Sequence, residues 1–439
     1  MSKRLTRRRF SQAGVAAGLS AFAAPFIVPS RAFGANDRVT FGMIGVGNQG
    51  RHLLKQFGSR AQCVAISDAY LPRAEEIAAS IGVKYVYHDY RKMLERKDMD
   101  AVVIATPHHW HAIHTIDAAQ AGKDIYCEKP LSYTVEEGRR MVEAVRKHRR
   151  VLQTGLQQRS GSREYRGCMH VRNGSIGAVK RVLATAYNTP MELGDFSAQP
   201  IPDGLDWDMW CGPTTPPPFH FGIWDNRTKP SWVSVRPFSG GQMCDWGAHG
   251  LDMAQWGLGM DEAGPVEIWT EGEPYQPKTS SEKATGGRHD GVHDPKVCMK
   301  YPSGTVMELA GGPGGFGVHF EGQNGRITVA RGKFQSSIKE LANQDVKNPK
   351  VQLYRSENHY DNWIECIKTR HDPAANVEIG HRTTTVCHLG NIARWVSEIT
   401  GETGRKLKWD SRAERFTNSE QANKFLQRTY RKGYELPEV

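Results

Sequence analysis

From Arg38 onward the apolar residues fall in short runs, separated by stretches that repeat them at helical spacing. The runs Val39–Ile44, Gln62–Ser67, Ala101–Ala105, Asp124–Cys127 and Val151–Gln153 predict strands. Between them, Trp110–Ala121 and Val135–Arg146 predict helices, and Thr134 with Glu137 forms a capping box ahead of the second. Strand and helix alternate in units of roughly 30 residues. That alternation predicts a parallel sheet with crossover helices, an α/β domain over 36–156.

Beyond residue 156 the pattern changes. A helix near Arg163–Arg172 leads into alternating segments at Val179–Ala186, Val266–Thr270, Val297–Tyr301, Thr305–Leu309 and Phe316–Glu321. Pro302-Ser303-Gly304 and Gln323-Asn324-Gly325 are turn signals between them. These features predict a second, α+β domain over 157–400 with a mainly antiparallel sheet. Helical stretches at Tyr360–Thr369 and Arg382–Ile399 are expected to pack on it. A polar segment over 401–439 is expected to pack on the body as a C-terminal tail.

Residues 1–34 stand apart. Lys3, Arg4, Arg7, Arg8, Arg9 and Arg31 precede or flank an alanine-rich apolar run from Ala13 to Val28, with no acid among them. The run suits a signal peptide better than a membrane span, which needs about 20 strongly apolar residues. Thr6-Arg7-Arg8-Arg9-Phe10 resembles a twin-arginine export signal, and Ala32-Phe33-Gly34 offers a cleavage site. An uncleaved anchor is the alternative. The expectation is a periplasmic protein delivered by the twin-arginine machinery, with no stable membrane association once the signal is cleaved.

Charge then excludes one class of partner. The formal net charge is +11, and the six positive charges of the signal leave +5 on the remainder. No basic patch interleaved with aromatics appears, so nucleic acid is not an expected partner. The eight cysteines are scattered without a CxxC pair, which points to neither a zinc site nor a disulfide framework.

Chemistry concentrates in three places. Gly45-Val46-Gly47-Asn48-Gln49-Gly50 follows a strand and opens a helix, as a Rossmann dinucleotide loop does. There the glycines allow a tight turn, close approach to a pyrophosphate and helix–strand packing. Asp68, ending the next strand, is placed to bind a ribose 2′-hydroxyl, which favours NAD over NADP. Glu128-Lys129-Pro130 ends the Asp124–Cys127 strand, where Lys129 can reach a cleft; a surface ion pair is the bland alternative. In the third, Asp245, His249 and Asp252 lie at i, i+4 and i+7, so one helix would align a base with its orienting carboxylate. A buried, satisfied histidine is the alternative there.

Taken together these stretches resemble the Gfo/Idh/MocA family of oxidoreductases. The Thr-Pro-x-x-x-His segment of that family matches Thr106-Pro107-His108-His109-Trp110-His111. Its Glu-Lys-Pro motif matches Glu128-Lys129-Pro130, and its Asp-x-x-x-His pair matches Asp245 and His249. The resemblance implies an open-faced second domain and a nicotinamide cofactor. It implies that Lys129, Asp245 and His249 surround the reacting carbon, and that Thr106, Pro107, His111 and Glu128 line the cofactor. Asn48 and Gln49 join the glycines as cofactor contacts, and no metal is implied.

The function expected is hydride transfer between a carbohydrate and a tightly held cofactor, since exported protein would have to carry its NAD with it. A redox-neutral glycosidase using bound NAD is the first alternative, and a ligand sensor without turnover the second. The open sheet face suggests a homo-oligomer. Trp207, Trp210, Trp224, Trp232 and Trp246 either line the substrate cleft or hold a long loop. The polar stretch Arg288–Asp294 reads as a loop.

Overall fold

The computed structural model describes residues 38–225, 230–281, 294–314 and 316–439. The segment read as an export signal lies outside them, as do residues 288–293 of the polar loop.

The first sheet is built from β1 (Thr40–Ile44), β2 (Gln62–Ser67), β3 (Tyr85–Tyr87), β4 (Ala101–Ile104), β5 (Asp124–Cys127) and β6 (Leu152–Thr154). Its order is β3-β2-β1-β4-β5-β6, and every neighbouring pair is parallel. The order reverses beside β1, which opens a crevice at the carboxyl ends of β1 and β4. β1 turns there through Gly45, whose φ of 86° is open to glycine at little cost. The helix Asn48–Gly58 follows, burying Gly50, Leu53, Leu54 and Phe57 on one face.

The second sheet comprises β7 (Val179–Ala184), β8 (Glu267–Glu271), β9 (Lys296–Lys300), β10 (Val306–Leu309), β11 (Val318–Gly322), β12 (Arg326–Ala330), β13 (Lys333–Ser336), β14 (Leu407–Asp410) and β15 (Arg415–Phe416). They lie in the order β13-β12-β11-β7-β10-β9-β8-β14-β15. Only β7 and β10 pair in parallel. Inward positions such as Val182, Met299, Met307 and Phe320 pack against Leu251, Leu389 and Ile392 of two helices, Gly247–Leu258 and Val377–Thr400. Outward positions of the same strands carry paired charges, Arg181 with Glu308 at 2.8 Å and Lys296 with Glu271 at 2.6 Å. One face is therefore core and the other polar, as period-2 alternation requires.

The helix His359–Thr369, expected on the second domain, instead covers the first sheet. Its Trp363 is fully buried against Phe57 and Tyr126, at ring separations of 5.0 and 5.7 Å. Helical spacing specifies that a face is buried, and both sheets offered an apolar surface. The helix Val377–Thr400 is capped by Asn376, whose side chain accepts from the N–H groups of Glu378 and Ile379. It is buried along nearly its whole length, because Val377 meets the first body while Leu389 and Val396 fill the second. The tail joins the β8 edge through β14 and then returns to the first body, where Arg428 pairs with Glu137 at 2.6 Å.

The glycine loop yields a pair of contrasting predictions. A Cβ on residue 50 would stand 2.1 Å from the carbonyl oxygen of Gly45, whereas one on residue 47 meets nothing within 4 Å. Gly50→Ala should cost about 1–3 kcal/mol in urea unfolding, the price of overpacking. Gly47→Ala should stay within about 0.5 kcal/mol of the parent. Equal midpoints for the two variants would show that the loop does not pack as described.

Candidate active site

The crevice holds a cavity of about 900 Å³ walled by the carboxyl ends of β1, β2, β4 and β5 and by the second body. Gly45, Gly47, Asn48 and Gln49 line it, so the open side of Gly47 faces the cavity. The helix Asn48–Gly58 begins there with no side-chain cap and no acid in its first turn. The positive end of the helix thus points at the cavity, as suits phosphate oxygens. Gly50 sits behind the loop, where it allows the packing described above. These features fit the diphosphate of a dinucleotide.

Asp68 also lines the cavity, but its carboxylate is already engaged. It accepts from the N–H groups of Val46 at 2.8 Å and Tyr70 at 2.9 Å, and from the Arg73 guanidinium at 2.7 and 3.2 Å. Those contacts occupy about four acceptor positions, the capacity of a carboxylate. Asp68 thereby fixes the glycine loop to the β2 end, and a ribose hydroxyl would have to displace Arg73 from it. Sequence spacing finds the acid at a strand end and cannot show which donors reach it first.

At the end of β5, Glu128 is buried and accepts from Gln49 at 2.8 Å and Gln157 at 3.3 Å. Burial raises its pKa, with the Lys129 charge opposing. The Lys129–Pro130 peptide bond is cis, and the Lys129 ammonium is hydrogen-bonded to the Asp245 carboxylate. His108 Nε2 lies 3.8 Å from the same carboxylate, and its Nδ1 lies 2.9 Å from the Ser239 hydroxyl. The Thr106–His111 segment packs this wall from the β4 side: the His111 ring stands between the carbonyl oxygens of Pro130 at 2.8 Å and Thr106 at 2.9 Å. Thr106, Pro107 and His111 all line the cavity.

The third motif departs from the expected single helix. The chain forms Gly241–Asp245 and then Gly247–Leu258, with the break at Trp246, where the His249 N–H reaches back to the Trp246 carbonyl. Asp245, His249 and Asp252 therefore diverge. Asp245 faces Lys129 and His108, while Asp252 is taken by Arg159 and Thr383 behind the site. His249 is not among the cavity-lining residues. It is 3% exposed, its ring meets Phe316 edge-on at 5.5 Å, and its Nδ1 has no hydrogen-bond partner among the described residues. Burial, reinforced by the positive charges of Lys129 and Arg331, holds its pKa well below the ordinary histidine value.

The remaining wall comes from the long segment between β7 and Gly241. Phe196, Trp207, Trp210, Phe219 and Phe238 gather in an apolar cluster of their own, with Trp207 stacked on Trp210 at 4.7 Å. The segment is fastened to the turn after Asp68 by backbone bonds from Leu71 N–H to Gly204 at 3.0 Å and from Asp206 N–H to Ala69 at 2.9 Å. Trp224 meets Tyr70 edge-on, with the Arg73 guanidinium 5.6 Å from both rings. Trp210, Trp224, Trp232 and Trp246 line the cavity, while Trp207 packs behind. Sequence reading missed His108, Ser239 and Arg73 as parts of this site. His108 stood in a conspicuous histidine run, and the other two left no signal.

Comparison with known proteins agrees with this architecture. The model of an oxidoreductase family with an NAD-binding Rossmann fold, Gfo/Idh/MocA, matches residues 39–156, and its C-terminal alpha/beta domain matches residues 190–436. The oxidoreductase YrbE of Bacillus subtilis is 29% identical over 237 residues, 54% of this chain and 57% of that protein. The myo-inositol 2-dehydrogenase of Thermotoga maritima is 25% identical over 310 residues, covering 70% of this chain and 78% of its own. The aldose-aldose oxidoreductase of Caulobacter crescentus shares the fold, with a TM-score of 0.57 at 19% identity over 84% of this chain and 99% of its own.

The buried histidines set a pH dependence of stability. Burial lowers His109 and His359 to about 3 and His111 and His388 to about 4, against an ordinary 6.5. Below 6.5 the unfolded chain takes up protons that the folded chain refuses, so stability falls as pH falls. Each such histidine costs about 1.4 kcal/mol per pH unit until its folded value is reached. The melting temperature should hold steady from pH 8 to about 7 and decline continuously toward pH 4. A flat profile down to pH 5 would contradict the burial described.

Proposed function

The chain belongs to the Gfo/Idh/MocA family of oxidoreductases, its first domain being the NAD-binding Rossmann domain of that family. From that premise we propose that it oxidises a hydroxyl-bearing carbon of a sugar or polyol, and reduces the corresponding carbonyl in return, on an NAD that stays bound between turnovers. The observation that carries this reading is the Lys129–Asp245 pair, set in the wall of the cavity that the glycine loop opens. The polyol dehydrogenase named among the relatives supports the substrate class.

NAD, when bound, supplies the acceptor and donor of hydride. The chain's own residues manage the oxygen and its proton. The Lys129 ammonium, steadied by Asp245, donates a hydrogen bond to the substrate oxygen, which stabilises it as negative charge develops. The Asp245 carboxylate, which lines the cavity beside Lys129, is placed to accept the hydroxyl proton as the hydride leaves, whereas His249 stands outside the cavity wall and burial weakens it as a base. Microscopic reversal returns the proton when a carbonyl is reduced.

Retention of the cofactor is supported by the aromatic segment fastened over the crevice at Gly204–Asp206, beside the end of β2 where a dinucleotide's adenosine would lie. It is supported also by the Arg7-Arg8-Arg9 signal: twin-arginine export to a compartment without free NAD would require a loaded enzyme, with a second substrate restoring the cofactor.

The test uses the protein as purified, without added NAD. A dinucleotide should be released on denaturation, and a reactive sugar or polyol should change the nicotinamide absorbance. Lys129→Ala and Asp245→Asn should each lower turnover by about 10²–10⁴. Turnover within about tenfold of the parent would remove these roles. Release of the aglycone from an aryl glycoside would replace the proposal with a redox-neutral glycosidase.

A further inference from the structure

His108 follows Thr106-Pro107 beyond the carboxyl end of β4, and its contacts reach into the second body. The residue is 3% exposed, and it lines the cavity. Its ring stands perpendicular to that of Trp232, another cavity residue, with centroids 4.9 Å apart. Nδ1 lies 2.9 Å from the Ser239 hydroxyl. Nε2 lies 3.8 Å from the Asp245 carboxylate, beyond hydrogen-bond length, and has no hydrogen-bond partner among the described residues. The roles given to Lys129 and Asp245 leave this nitrogen unused.

Ser239 decides which ring nitrogen carries the proton. It is fully buried, and its hydroxyl oxygen accepts from the Gly241 N–H at 3.0 Å. Among the described residues, the acceptor left for its own proton is His108 Nδ1. The hydroxyl therefore donates, Nδ1 accepts, and the neutral ring holds its hydrogen on Nε2. Burial, with His111 and the Lys129 charge adding to it, keeps the His108 pKa well below the ordinary value, so the ring stays neutral. The adjacent histidines are spent on carbonyl oxygens, His109 on Phe238 and Trp210, His111 on Pro130 and Thr106. At His108 one N–H remains, in the cavity wall beside the reacting centre. A buried donor without an acceptor is costly unless a ligand supplies one.

The distance to Asp245 indicates which ligand oxygen that is. The reacting hydroxyl gives its proton to Asp245 and accepts from Lys129. Groups as close as Asp245 and His108 can hold two oxygens on adjacent carbons side by side, one on the carboxylate and the other on Nε2. We infer that His108, its tautomer set by Ser239, binds substrate by donating from Nε2 to the hydroxyl next to the carbon that is oxidised. This rests on the reading of the site given above. It narrows the substrate class to vicinal diols: a sugar or polyol with a hydroxyl beside the reacting carbon is preferred to its deoxy counterpart.

The experiment compares the purified holoenzyme with His108→Phe, His108→Gln and Ser239→Ala. Glucose and its 2-, 3- and 4-deoxy derivatives are the probes, read by thermal shift and by nicotinamide absorbance, with product analysis locating the reacting carbon. In the parent, the derivative that lacks the adjacent hydroxyl should fall about 5- to 100-fold below glucose in kcat/KM or Kd. In His108→Phe, glucose should drop to within about twofold of that derivative. His108→Gln, which keeps an N–H donor, should restore part of the discrimination, and Ser239→Ala, which frees the tautomer, should lose part of it. A parent that does not distinguish glucose from the deoxy sugars, a uniform loss on all four in His108→Phe, or no thermal shift by any of them would overturn the inference. Discrimination that His108→Phe abolishes in thermal shift, with no sugar-driven change in absorbance, would uphold the subsite and count against the proposed oxidoreduction.

Discussion

The Lys129–Asp245 ion pair is where the two bodies agree on a geometry. Lys129 follows the end of strand β5 and Asp245 ends a short helix of the second body, so neither body presents both charges. Each charge is largely withdrawn from water, with side-chain exposures of 17% and 9%. At that depth a lone charge would be costly, and the partner is what makes either tolerable. The pairing therefore fixes the distance between the end of the parallel sheet and the Trp246 break. The cavity wall and the His108–Ser239 contact are both measured from that point.

Electrostatics in the crevice follow a division of labour. On the dinucleotide side the positive end of the helix Asn48–Gly58 faces the cavity, and the negative charges of Asp68 and Glu128 are turned toward internal partners. Across the cavity from the glycine loop stand the salt-bridged Lys129 ammonium, the Asp245 carboxylate, His108 and the Trp246 ring. Burial is the common agent. It keeps the histidines uncharged and raises Glu128, so the paired Lys129 is the charge at the reacting centre.

Much of this was legible in the sequence where local rules suffice. The glycine loop, the strand ends that carry Asp68 and Glu128, and the alternation in β7–β11 follow from turn chemistry and spacing alone. β3 was missed because Tyr85–Tyr87 is three residues long, and β14 and β15 because a polar tail gives no alternation long enough to read. The Trp246 break was invisible because its residues suit a continuous helix, so Asp245 and His249 looked like neighbours on one face. Asp68 was found while its competitors were not, since Arg73 and the Val46 N–H reach it only in three dimensions.

The return of the chain to its own beginning has a consequence for biogenesis. Phe57 and Tyr126 are shielded by Trp363, and Glu137 is neutralised by Arg428, although hundreds of residues separate these partners in order of synthesis. A chain that stops after β6 would lack Trp363 over Phe57 and Tyr126, leaving a gap in a face otherwise covered by the helices Asn48–Gly58 and Leu71–Ile81, and would lack Arg428 beside Glu137. Closure of that gap and of the Glu137 site waits for Trp363 and Arg428. Until then part of the early sheet's apolar surface stays exposed, the condition under which folding intermediates tend to aggregate.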